Sequence, residues 1–186
     1  MKYNKETFDS ILNSLTNKHI AEVYYYDCNY YDKNRNVNNL VKLIKEDSFG
    51  AILIKFDSGE LVNITSTDYE PNLSLGGIKI SQEEFRDDED RLSRMSETIW
   101  SQYKKFPIVS HSIIEDNYSI NNKNLTIPLG ISFTFENNLH LYILNLEIEQ
   151  YNTEKEMFDF VKGSSALTIF FSQKEFSKYN FRNKAT

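Results

Sequence analysis

Residues 125–149 read LTIPLGISFTFENNLHLYILNLEIE, and this stretch decides the fold. From Ile131 the pattern alternates: Ile131, Phe133 and Phe135 share one face, and Ser132, Thr134 and Glu136 the other. Glu136-Asn137-Asn138 then suits a tight reversal, because asparagine tolerates turn conformations. Beyond it Leu139, Leu141, Ile143, Asn145 and Glu147 fall on one parity, and His140, Tyr142, Leu144, Leu146 and Ile148 on the other. Period-two patterning rich in aromatic and β-branched residues predicts two paired strands. Apolar residues on both parities of the second strand require cover on both faces. The hairpin is therefore expected at the centre of a sheet.

A second hairpin is predicted over Ala51 to Ser66, turning at Asp57-Ser58-Gly59, where glycine supplies a positive φ. Its sequence ILIKFDSGELVNI echoes ISFTFENNLHLYIL: an aromatic-ended strand, three polar residues, then leucine and alternating partners. Further strands are expected at His19 to Tyr31, at Asn39 to Lys45 (joined to Ala51 through a turn at Glu46-Asp47-Ser48), around Ile78 and Ile80, at Ile108 to Glu115, and at ALTIFF, residues 166–171. Helical spacing marks residues 5–16 through Phe8, Ile11, Leu12 and Leu15, with Asn4 or Thr7 as the cap. Ser81 with Glu84 forms a capping box opening a helix from Gln82 to Lys104, with a break near Arg91 to Ser93. A helical turn is expected through Met157, Phe158 and Val161, and a last helix after Ser172 holding Phe176 and Tyr179. The sum is a single α+β domain over residues 1–186: a mostly antiparallel, twisted sheet built from hairpins and flanked by three or four helices.

Composition narrows the function classes. The chain has 27 acidic against 21 basic residues, a net charge of −6, and nothing in this total favours the positive surface that nonspecific nucleic-acid binding requires, so no nucleic-acid partner is expected. The start MKYNKETFDSILNSL has no apolar run of signal-peptide length, and no window approaches the length of a membrane span. The cytoplasm is the expected address. Cys28 is the one cysteine, which excludes an intrachain disulfide.

No catalytic pattern stands out. His19, His111 and His140 are far apart in sequence, though His111 could approach His140 across a sheet; no cofactor or metal site is expected. Cys28 lies in a tyrosine-rich stretch with no nearby cation to activate it before Lys33. Carboxylate pairs occur at Asp27 with Asp32, Asp57 with Glu60, Asp68 with Glu70, and Glu147 with Glu149, and a small hydrolytic enzyme using such a pair is one alternative reading. A structural or regulatory binding domain is another.

The most informative run is EEFRDDED, residues 83–90, where Glu83, Glu84, Asp87, Asp88, Glu89 and Asp90 place six carboxylates in eight residues. Like charges at helical neighbour spacings repel, so such a run costs a helix stability unless a cation relieves it. That points to a docking surface for a basic partner, with Trp100 and Tyr103 as aromatic anchors further along, against the plainer readings of a solvated helix start and core packing. With the tyrosine cluster YYYDCNYY at 24–31 and the two hairpins, the chain resembles in general character the immunity proteins that accompany bacterial polymorphic toxins. The resemblance implies a stoichiometric, non-catalytic inhibitor that occludes the active site of a basic toxin. It carries over no functional residue.

Overall fold

In the computed structural model the residues described are 3–26, 46–49, 51–69, 76–82, 92–94, 99–120, 122–152, 157–162, 166–177 and 181–183. They build a nearly all-β protein. The strands are β1 Ile20–Tyr26, β2 Glu46–Phe49, β3 Ala51–Phe56, β4 Leu61–Asp68, β5 Gly76–Gln82, β6 Leu92–Arg94, β7 Ile108–Ile120, β8 Lys123–Phe135, β9 His140–Leu144, β10 Leu146–Asn152, β11 Met157–Lys162, β12 Ala166–Phe170 and β13 Phe181–Asn183. Among the described residues only two α-helices accompany them, α1 Lys5–Ser14 and the single-turn α2 Gln173–Phe176. The α+β expectation with three or four flanking helices is therefore corrected.

The reason lies in pairing. Ser81, expected to cap a long helix, instead continues β5, opposite Asn63, and Gln82 pairs with Val62. Leu92–Arg94, in the middle of the expected helix, pairs with Tyr24–Tyr26. Of the expected Gln82–Lys104 helix, the described residues keep only the 3₁₀ turn Ile99–Gln102. Met157–Lys162 likewise pairs along its length with Leu146–Asn152 rather than coiling. Glu46-Asp47-Ser48, expected as a turn, lies in β2 against β12. In each case hydrogen-bonding to a neighbouring strand overrides local helix or turn preference, which is a weak term. The expected strand Asn39 to Lys45 lies outside the described residues.

The strands form three sheets. The first has the order β5-β4-β3-β1-β6 and the second β2-β12-β9-β8-β7, both antiparallel throughout. The inner faces of these two share one core. Val23, Ile52, Ile54, Val62 and Ile64 come from the first, and Ile131, Phe133, Leu141, Ile143 and Ile169 from the second. β9 is the middle strand of its sheet, as its sequence implies, and its two parities enter different cores. Leu141 and Ile143 face the first sheet; Tyr142 and Leu144 face outward into a cluster with Leu129, Leu146, Phe160 and Phe170. The third, small sheet, β10-β11-β13, helps supply that outer cover.

The two echoing hairpins lie in different sheets and turn alike. Phe56 N–H donates to Glu60 O and Phe135 N–H to Leu139 O, both at 2.9 Å. The third loop residue takes a positive φ in each, +94° at Gly59 and +62° at Asn138. This is the three-residue hairpin loop closed by a left-handed residue.

Helix α1 begins at Asn4, whose side chain accepts from Thr7 N–H at 3.2 Å, as expected of that cap. It buries Phe8, Leu12 and Leu15 in the core between the sheets, worth about 1.5–3 kcal/mol for each large side chain. Asn17, at φ +65°, turns the chain out of the helix, and its N–H donates to Ile108 O at 2.7 Å. The amino end is tied to β7 by Glu115, which accepts from the Tyr3 hydroxyl at 2.8 Å and pairs with Lys5 at 3.0 Å.

The long hairpin differs from expectation at one point: its second strand breaks at Asn145. There the Asn145 N–H donates to Leu129 O at 2.8 Å, and the Thr168 hydroxyl to Leu146 O at 2.9 Å. The chain then leaves the second sheet for the third. Gly130 sits beside this exit, where a Cβ would lie 2.5 Å from Ile143 O and 2.8 Å from Leu144 Cγ. Backbone on one side cannot yield, so Gly130→Ala should cost about 1–3 kcal/mol by overpacking, read as a lower urea midpoint with an unchanged slope. Gly59→Ala meets open space and should cost only about 1 kcal/mol, from its left-handed backbone. Equal costs at the two positions would contradict the close approach at Gly130.

Candidate functional site

The acidic residues Glu83, Glu84, Asp87, Asp88, Glu89 and Asp90 lie outside the described residues. Their sequence position is informative all the same. They fall between the end of β5 and the start of β6, the two opposite edges of the first sheet.

Trp100 and Tyr103 are interior residues, each 0% exposed, not surface anchors. The Trp100 indole N–H donates to the Tyr25 hydroxyl at 2.6 Å, and its ring meets Phe171 edge-on at 5.4 Å. The Tyr103 hydroxyl donates to Phe171 O, with His140 O at 3.2 Å, and its ring packs on Phe135. Burial pushes the Tyr103 phenol pKa up. This aromatic junction joins β1 of the first sheet to the end of β8 in the second. Its spacing, read as helical, is that of one 3₁₀ turn aimed into the core.

The carboxylate pairs divide. For Asp57 and Glu60, at the β3–β4 turn, each carboxylate has a partner of its own. Glu60 accepts from Lys18 and Ser58, which lower its pKa to about 2, and Asp57 lies 3.2 Å from His19 Nδ1. General-acid hydrolysis needs one carboxyl held protonated near neutrality, so the Lys18 and Ser58 contacts set Glu60 in the opposite direction. Asp68 is exposed at the end of β4. Asp27, Asp32 and Glu70, the side chains of Glu147 and Glu149, and Cys28 lie outside what the structure describes.

The histidines do not meet. His111 is in register with Phe133 and, through it, Leu141, both inward-facing core residues, whereas His140 is in register with Thr134 on the other parity. The approach of His111 to His140 that the sequence left open is thus prevented by opposite faces of one sheet. Among the described residues no three His, Cys, Asp or Glu side chains come together as a metal site. His111 Nδ1 is buried and makes no hydrogen bond among them. Desolvation lowers the His111 pKa, partly opposed by the Asp9 carboxylate of α1.

One surface that sequence reasoning passed over is the outer face of β7–β9. Ser110, Thr134 and His140 form one cross-strand row, and Ser112, Ser132 and Tyr142 the next. Ser110 and Ser112 are exposed, Ser132, Thr134 and His140 half-buried, and Tyr142 buried by a parallel stack on Phe176 at 4.3 Å. Thr134 Oγ1 lies 3.2 Å from His140 Nδ1. Next to it Val109 is 43% exposed, the exposed large hydrophobic side chain among the described residues. The rows present hydroxyls and an imidazole, with no carboxylate, lysine or arginine among them. Their signal was the polar parity of SHS in β7 and SFT in β8.

No protein-family model matches the chain, and no curated protein or solved structure is similar enough to count as a relative. No helix among the described residues is long and apolar enough to cross a membrane.

Two measurements test this geometry. Trp100 is the one tryptophan of the chain. Native fluorescence should resist acrylamide quenching and become accessible only on unfolding; ready quenching of the native protein would place Trp100 at the surface. The second concerns His111, whose depressed pKa means the unfolded chain binds the proton more readily. Its contribution is present above the unfolded value of about 6.5 and is lost as pH falls through the folded value. His111→Gln should therefore lose less stability than the parent between pH 7.5 and 5.5 in urea titrations. Equal losses would show that His111 is not the group responsible.

Proposed function

We propose that this chain is a non-catalytic protein-binding domain that takes a basic partner, in the manner of an immunity-type inhibitor that covers the active site of a cognate toxin. One observation carries the reading. EEFRDDED sets six carboxylates against Arg86, so −5 of the chain's −6 formal charge falls within eight residues. The rest of the chain is close to balanced, with 21 carboxylates against 20 Lys and Arg. Within that remainder, among the described residues, Lys5, Lys18, Lys55 and Lys162 are each paired with a carboxylate.

Charge concentrated in this way has a specific physical effect. Interspersed charges of both signs cancel one another, whereas a block of one sign sums to a field that reaches over a Debye length, roughly 8–10 Å, and further at low salt. A basic partner is then drawn in and oriented before any short-range contact forms, which raises the association rate more than the lifetime of the complex. Attraction of this kind suits an inhibitor that must find its target quickly. The hydrolytic alternative gains nothing from the Asp57 and Glu60 pair, where Lys18 and Ser58 hold Glu60 ionised.

The test reverses charge at the block. Chain carrying Asp87→Lys, Asp88→Lys and Asp90→Lys should melt at the temperature of the parent. Immobilised parent chain should retain a basic protein from native lysate at low salt, inhibit its activity at a one-to-one ratio, and release it as salt rises. The triple variant should associate with that protein about tenfold more slowly at low salt, within the range electrostatic steering supplies. An unchanged association rate at low salt, with folding intact, would overturn the proposal.

A further inference from the structure

No further inference is drawn: the strongest candidate, the hydroxyl-rich outer face of the second sheet where exposed Ser110 and Ser112 and half-buried Ser132, Thr134 and His140 lie beside Val109, is a sheet face, and nothing in the structure shows what covers it.

Discussion

The main-chain contact beside Gly130 governs the layering of the molecule. With no side chain on Gly130, the Ile143 carbonyl and Leu144 can press against β8, and the chain can turn away at Asn145 while still donating to Leu129 O. That departure turns one long hairpin strand into two strands of different sheets. Residues before the break, Leu141 and Ile143, serve the core between the two large sheets. Leu146 beyond it joins Leu129, Tyr142, Leu144, Phe160 and Phe170 in the outer cluster. A straight β9 would have left Tyr142 and Leu144 without that cover. The cover is local, and towards β7 the same face carries the exposed Ser110 and Ser112.

The interior and the charge of this chain are organised separately. The aromatic junction of Tyr25, Trp100, Tyr103, Phe135 and Phe171 holds no ionised side chain and is closed by the Tyr103 hydroxyl, which donates to Phe171 O with His140 O nearby, and by the Trp100 indole bond to the Tyr25 phenol. The ion pairs among the described residues, such as Lys18 with Glu60 and Lys162 with Asp116, lie outside that junction. Four of the six excess negative charges are assigned by sequence to residues 83–91, between β5 and β6.

Strands were legible in the sequence wherever alternation and turn chemistry agreed. Ile131–Phe135 and Ala51–Phe56 each end on a phenylalanine before a three-residue reversal, and both hairpins follow. The short helices were legible too, through Asn4 and Ser172 at their caps. Helical spacing misled where it coincided with strand pairing. Leu92, Ile99, Trp100 and Tyr103 recur as on a helix, yet Leu92 belongs to a sheet edge and Trp100 and Tyr103 to a single tight turn. Met157–Lys162 was ambiguous for the same reason: six residues hold too few periods to separate 3.6 from 2. The candidate site was less legible than the fold. The acidic block is plain in the sequence, but the burial of its supposed aromatic anchors depends on Tyr25 and Phe171, far from them along the chain. Such long-range partnership leaves no local mark.

The tie between Glu115 and the pair Tyr3 and Lys5 sets an order on the life of a newly made chain. Helix α1 is made before the strands that hold it; it carries Phe8, Leu12 and Leu15 towards the core, and its amino end lacks the tie to Glu115 until residue 115 has been made. Its carboxyl end waits for Ile108, the acceptor for Asn17. Contacts this distant in sequence slow folding, because the intervening loop must close before they form. Until β7 emerges α1 is an apolar stripe without its final seat, and exposed apolar surface of this kind is open to association with other chains.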